Sequence, residues 1–296
     1  CIYCIYCIYC IYCIYCIYNN INYYIMSIPK IVFIIPYKNR SEEKLHFSIY
    51  MKYILEDYND DDYQIYYSHQ IENKPFSRGG TKNIGFLAIK DKYPDDYKNI
   101  TFVFNDIDTV PCEKNMLNYI TTKGIVKHFF GFTFTLGGIF SIIGEDFEIC
   151  NGFPNLYGWG MEDNAIYQRT KTNNIKIDRS VFYPIRSRKI INFNNDSKRI
   201  INNKDPSDYN RKNFIDNLDT INNLEYTIVS NKENSLKNNS KEFMININKF
   251  TSLVNPLNQE YYIQDTSLTS KVYPNVLQRQ RSREQWSMKR LMGTGR

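Results

Sequence analysis

The chain has 296 residues, 43% of them hydrophobic, and a formal net charge of +6. Residues 271–296 carry seven Lys or Arg and one Glu, so this segment holds the whole excess and the remainder is neutral. A neutral body without clustered arginines excludes a chain built to track nucleic acid, and the basic end reads most simply as a solvated tail.

Residues 1–18 are six copies of Cys-Ile-Tyr and hold six of the eight cysteines, at a period that fits no disulfide framework or metal-ligand spacing. The stretch is long enough to span a bilayer as a helix. It lacks the charged flanks and irregular Leu, Val and Ala content of an anchor. A perfect tripeptide repeat is what a short DNA repeat encodes, and the first methionine is Met26. The expectation is therefore that residues 1–25 are a low-complexity tract outside the folded protein, which begins at Met26 in the cytoplasm. A genuine anchor in a Golgi membrane is the alternative, so membrane association stays open. Only Cys112 and Cys150 remain beyond the repeat, which suits a reduced protein and leaves one disulfide optional. Sequons at Asn39, Asn99, Asn195 and Asn238 are expected by chance in so Asn-rich a chain.

From Met26 the length suits one sizeable α/β domain, expected over residues 26–248, with a flexible basic tail over 249–296. Residues 31–35 are an apolar run that reads as a buried strand. Ser41 with Glu42 and Glu43 marks a helix start, and Leu45, Ile49, Tyr53 and Ile54 form its apolar stripe. A second strand is predicted over 63–67, after a solvated acidic loop. A helix follows over 81–90 with Ile84, Leu87 and Ala88 on one face. Such alternation predicts a mainly parallel sheet, with ligands beyond the C-terminal ends of its strands.

Residues 100–104 read as another buried strand, ending in Asp106-Ile107-Asp108. If the chain stays extended there, both carboxylates face one side. Two close like charges gain from a cation, and hard oxygen ligands suit Mg²⁺ or Mn²⁺ beside phosphate. A bare Asp-x-Asp also suits a solvated turn. Residues 129–134 alternate Phe with small residues and read as a strand running into Gly137-Gly138. In residues 151–169, four residues, Gly152, Pro154, Gly158 and Gly160, predict a tightly turned loop. Tyr157 and Trp159 offer flat faces for sugar rings. Glu162 and Asp163 stand at a helix start, where a carboxylate suits the dipole and can act as a base. Beyond residue 185 the composition turns to Asn, Lys, Asp and Ile with short apolar runs such as 243–247.

Five of these stretches, in order over residues 29–180, resemble the β-1,4-galactosyltransferase family. They are Pro36-Tyr37-Lys38-Asn39-Arg40; Phe76-Ser77-Arg78 with Asn83-Ile84-Gly85; Phe104-Asn105-Asp106-Ile107-Asp108; Gly137-Gly138-Ile139-Phe140-Ser141; and the run from Asn151 to Asp163. Residues 224–229 are similar to a late strand of that family. The resemblance implies a GT-A type α/β sandwich binding a nucleotide sugar, and an inverting, metal-dependent hexosyl transfer. It implies that Asp106 and Asp108 bind Mn²⁺ (or Mg²⁺) and the diphosphate of a UDP-sugar, with Asp108 the direct ligand. Lys38, Arg40, Phe76 and Arg78 would hold the nucleotide. Gly138, Trp159 and Glu162 would shape the donor and acceptor pocket, and Asp163 would be the general base.

The sequence departs from the family pattern in three places. A third metal ligand, a His downstream of the Glu-Asp pair, is missing, because His46, His69 and His128 all lie upstream. The matching stretch, residues 190–193, has no imidazole, so the expectation is either a weaker metal site or another group such as Asp196 in its place. Asn164-Ala165 replaces an acidic run, which points to a different acceptor sugar. Thr135 or Leu136 stands where a Tyr is frequent, which leaves room for an N-acetyl group and admits UDP-GalNAc as donor. The expected partners are a UDP-sugar and a glycan acceptor, with no nucleic acid and an open oligomeric state. A weak or inactive UDP-sugar- or glycan-binding relative is the alternative.

Overall fold

The computed structural model describes residues 27–193, 198–202, 216–230, 241–258 and 261–265. The repeat, the start at Met26, Asn195, Asp196, Asn238 and the basic segment 271–296 lie outside the described residues.

Three apolar runs build the middle of the sheet. Strand β1 (Ile31–Tyr37) is buried at every position and is flanked in parallel by β2 (Tyr63–Gln70) and β3 (Thr101–Asn105). Its side chains alternate between two cores. Val32 and Ile34 pack with Ile84, Phe86 and Ile89 of helix α2 (Arg78–Lys92), while Ile31, Phe33 and Ile35 pack with Phe47, Met51 and Ile54 of helix α1 (Ser41–Ile54). A strand buried on both faces by crossover helices needs a continuous apolar run, which is what residues 31–35 supply. The expected helix over 81–90 is thus found, longer at both ends.

Beyond β3 the sheet turns antiparallel through β6 (Ile139–Ile143) and β5 (Ile125–Gly131), and β5 pairs in parallel with β7 (Lys176–Asp178) and β8 (Tyr183–Pro184). On the other side β2 pairs in parallel with β12 (Glu242–Thr251), which pairs antiparallel with β11 (Asn222–Ser230). The sheet is therefore mixed but mainly parallel, covered by helices, an α/β sandwich. Two short ribbons stand apart: β4 (Thr109–Pro111) with β9 (Ile190–Asn192), and β10 (Lys198–Asn202) with β13 (Tyr261–Asp265). Two further α-helices lie among the described residues, α3 (Gly144–Ile149) and α4 (Glu162–Thr172). Among the described residues no helix is long and apolar enough to cross a membrane.

A phenylalanine cluster under α2 fixes the loop that matters most. Phe104 lies 4.7 Å from Phe147 and 5.4 Å from Phe153, and Phe86 lies 4.8 Å from Phe147, centroid to centroid. Each fully buried Phe contributes roughly 1.5–3 kcal/mol. Phe153 therefore anchors residues 151–161 to the core from within.

Four expectations are corrected. The buried face of α1 is Phe47, Ser48, Met51 and Ile54, while Leu45, Ile49 and Tyr53 are about half exposed. The sheet meets the helix along a different i, i+4, i+7 row from the one chosen. Strand β5 ends at Gly131, and Phe132 and Phe134 stand exposed, stacked on each other at 5.2 Å. Tyr157 is buried and stacks on Phe250 at 6.0 Å, so it is core and offers no face to a sugar. The domain also continues past residue 248, because β12 runs to Thr251 and β13 pairs with β10.

Candidate active site

The C-terminal ends of β1 and β3 and the N-terminus of α2 open on one edge of the sheet. Asn105, fully buried at the end of β3, donates from Nδ2 to the carbonyls of Asp106 (2.7 Å) and Thr109 (2.8 Å). Thr109 N–H also donates to the Asp106 carbonyl at 3.2 Å. These bonds bend residues 106–108 into a turn, so the expected extended arrangement of the two aspartates is not found. They come together through the turn instead, and their side chains keep 21% and 14% exposure, enough to meet a ligand.

Each carboxylate has a cation beside it. Arg78 donates to Asp106 Oδ1 at 2.5 Å, and Arg40 donates to Asp108 Oδ2 at 3.0 Å. Arg78 opens α2, whose first turn is capped by the Ser77 hydroxyl accepting from Gly80 N–H. One turn later on the same face is Lys82, almost wholly buried. Its Nζ lies 3.1 Å from Asp163 Oδ1, 3.9 Å from Asp106 Oδ1 and 4.8 Å from the centre of the Phe153 ring. Glu162 completes the group, with Oε1 3.3 Å from Arg78 Nη1. That contact lacks hydrogen-bond geometry, so the buried oxygen accepts no hydrogen bond from the described residues.

The charges show in the titrations. Burial works against the Arg78 charge, yet Asp106, Glu162 and Asp163 outweigh it and hold the guanidinium well above its ordinary value. Burial also raises Asp106, but Arg78 and Lys82 outweigh it and the carboxyl ends below its usual value. Asp108 goes the other way, pushed up by burial and then by the neighbouring Asp106 charge. Glu162 is likewise raised by burial and by Asp163.

Glu162 and Asp163 occupy the first turn of α4, entered through Met161 in a left-handed conformation with φ 71°. Leu136 N–H donates to the Asp163 carbonyl at 3.0 Å, and Gly138 accepts from Asp106 N–H at 3.1 Å. The two glycines are forced by space. A Cβ on Gly137 would stand 2.5 Å from Asp163 Oδ2, and Gly138 combines φ +74° with a Cβ position 2.5 Å from the Phe130 carbonyl. His128 braces this loop from below. Its Nδ1 accepts from Arg179, so Nε2–H donates to the carbonyls of Phe130 and Gly137, both at 3.0 Å. Burial pushes its pKa down to about 4, and the ring is neutral.

Loop 151–161 is held by side chains from far along the chain. Asn83, fully buried on α2, donates to the Phe153 carbonyl and accepts from Phe153 N–H. Asp216 accepts from the N–H and the amide of Asn155, and Arg169 donates to the carbonyls of Asn151, Gly152 and Asp216. Gly158 N–H donates to the Phe76 carbonyl and Trp159 N–H to the Ile200 carbonyl, which leaves the Trp159 side chain 39% exposed.

Of the residues singled out from the sequence, Arg40, Arg78, Asp106, Asp108, Glu162 and Asp163 form one cluster. Gly138 joins it by accepting from Asp106 N–H, whereas the backbone of Phe76 bonds Gly158 and that of Trp159 bonds Ile200, outside the cluster. Lys38 does not join it either, because its ammonium turns to the carbonyls of Gln70 (3.3 Å) and Glu72 (2.6 Å). Lys82, Asn83, Asn105, Arg169 and Asp216 were missed. Asn83 and Asn105 stood inside the family-like stretches without a role of their own, and Lys82 carried one signal, its i, i+4 spacing from Arg78.

The aspartate pair offers hard oxygens, and the raised Asp108 carboxyl marks a site that gains from a cation. Among the described residues no three His, Cys, Asp or Glu side chains group as metal ligands. The pair therefore suits a divalent ion held by one or two carboxylates with substrate phosphate and water. The stretch matched to the missing His lies alongside it: Phe193 N–H donates to the Asp108 carbonyl at 2.7 Å, and β9 pairs with β4. Cys112 and Cys150 are both free thiols.

Two family models match the chain. One, described as the N-terminal region of glycosyl transferase group 7, matches residues 24–121, and the other, described as the N-terminal domain of galactosyltransferase, matches residues 127–193. Among curated relatives, β-1,4-galactosyltransferase 1 of Mus musculus is 33% identical over 160 residues, 51% of this chain and 39% of that protein. β-1,4-galactosyltransferase 4 of Homo sapiens is 28% identical, over 52% of this chain and 46% of that protein. The chain thus spans less than half the length of these relatives. The catalytic domain of Drosophila β-1,4-galactosyltransferase 7, solved with xylobiose, superposes with a TM-score of 0.57 at 20% identity, covering 74% of this chain and 94% of that one. A variant of that enzyme was solved with manganese, UDP-Gal and xylobiose. The shared fold is the galactosyltransferase catalytic fold of the GT-A type.

Proposed function

This chain belongs to the β-1,4-galactosyltransferase-like glycosyltransferases, and we propose that it moves galactose from UDP-galactose to a hydroxyl of a glycan acceptor with inversion. The observation that carries the reading is the placement of Asp163, in the first turn of α4, beside a donor cluster built on Asp106, Asp108, Arg40 and Arg78. Asp163 takes the acceptor hydroxyl proton as that oxygen bonds to the anomeric carbon. The bond from that carbon to the diphosphate breaks on the opposite face, and UDP leaves with the electron pair. Arg78 and Arg40 present guanidiniums to the diphosphate, and Glu162, with Oε1 buried 3.3 Å from Arg78 Nη1, backs the Arg78 charge. Trp159 offers its exposed face to a sugar ring. Asp106 and Asp108 would hold Mn²⁺ or Mg²⁺, which when bound supplies charge that stabilises the departing diphosphate. Free thiols at Cys112 and Cys150 suit a cytoplasmic setting.

The test is UDP release with Mn²⁺ and a panel of UDP-sugars, with and without saccharide acceptors including xylobiose. Acceptor-stimulated release from UDP-galactose that stops with EDTA is expected. Release from UDP-N-acetylgalactosamine alone would reassign the donor, in line with Thr135 or Leu136 standing where a Tyr is frequent. Thermal stabilisation by UDP and Mn²⁺ without release would identify a binding-only relative.

A further inference from the structure

We propose that Lys82 is a positioning residue for the base, one that fixes which oxygen of Asp163 receives the acceptor proton and ties that base to the donor site. This rests on the transferase reading above. Lys82 is 1% exposed, on a helix row that continues into the core through Phe86 and Ile89. A buried ammonium persists only when it is paired, and the described partners of Lys82 are Asp163, Asp106 and the face of Phe153.

The geometry is directional. Lys82 holds Asp163 Oδ1 at 3.1 Å, while Oδ2 lies over Gly137, where a Cβ would stand 2.5 Å away. One oxygen is thereby occupied, and the other faces Gly137, where the absence of a side chain leaves room for it. The same ammonium is 3.9 Å from Asp106 Oδ1, so it bridges the acceptor-side and donor-side carboxylates. It also balances charge. Among the described residues, Asp106, Asp108, Glu162 and Asp163 are ion-paired with Arg40, Arg78 and Lys82, and without Lys82 the carboxylates of Asp106 and Asp163 would share Arg78.

Lys82→Met keeps the length and removes the charge. With the wild-type chain transferring sugar, the expected result is a kcat roughly 100-fold lower, with both KM values within about threefold, since a displaced base costs rate and not binding. In an Asp163→Asn background the same change is expected to cost nothing further, because its effect runs through the base. Lys82→Arg keeps a cation and is expected within about tenfold of wild-type kcat. Melting curves with and without UDP check that each variant retains the fold and the donor site.

Wild-type kcat in a folded Lys82→Met variant overturns the proposal, as does a full extra loss in the Asp163→Asn background. So does a folded Lys82→Arg variant with no more activity than Lys82→Met. A wild-type chain that transfers no sugar overturns the transferase reading first and this proposal with it, a result distinct from an active wild type that ignores Lys82.

Discussion

Arg40, Arg78 and Asp106 stand at the end of a buried strand or in the first turn of a helix, whereas Trp159 and the α4 entry depend on a loop tied to Asn83, Asp216 and Arg169. The donor edge is set by sheet packing: once β1 and β3 are buried in parallel, the residues after them must emerge on the same side. The acceptor loop has no such scaffold. Its backbone groups are satisfied by side chains up to about 70 positions away, as from Asn83 to Phe153. One half of the site is thus rigid by topology and the other by a polar network, and the two should fail differently.

The largest expected effect is at the junction. Asp163→Asn should lower kcat about 10³-fold while UDP still raises the melting temperature, since the base goes and the donor edge stays. Unchanged kcat would remove the assignment. Asp108→Asn should lower kcat/KM for the donor roughly 100-fold and abolish the Mn²⁺-dependent part of UDP stabilisation, measured by thermal shift. An unaltered Mn²⁺ response would place the ion elsewhere.

Asn83→Ala tests the polar network. It strips the Phe153 N–H and carbonyl of their partner and should destabilise by about 1–3 kcal/mol in chemical denaturation, with acceptor KM raised more than donor KM. Equal effects on both substrates would show the loop and the donor edge to be one unit.

The smallest effect is a pH dependence under the Gly137-Gly138 loop. His128 has a folded pKa of about 4 against an ordinary 6.5, so between those values the unfolded chain binds a proton that the folded one refuses. Stability is therefore lost as pH falls from 6.5 towards 4, by at most about 1.4 kcal/mol per pH unit from this group. The raised carboxyls of Asp108 and Glu162 act in the opposite sense, so the quantity to read is the difference in slope between wild type and His128→Gln. Identical slopes would mean that His128 is not held neutral by burial.

Much of this was written in the chain itself. The run over residues 31–35, the strand before Asp106 and the Gly-rich stretch before Glu162 were readable because burial on both faces and tight turning each demand particular residue types. Resemblance then supplied roles for Asp106, Asp108 and Asp163 that spacing alone leaves open. The face of α1 was misread because Leu45, Ile49 and Tyr53 are as apolar as the row that is buried, and only the docked sheet chooses between them. Tyr157 was misread for the same reason, since an aromatic in a loop has one composition whether it meets Phe250 or a sugar.

Local sequence determined the order of strands and helices, the parallel core and the acidic residues that end up at its edge, because those follow from periodicity and hydrophobic runs. Tertiary structure alone decided that Lys82 is buried between Asp106 and Asp163, that Lys38 turns away, and that Asp216 holds the loop. These are choices between solvent and a distant partner, and desolvation in the assembled fold, which no local pattern encodes, fixes their outcome.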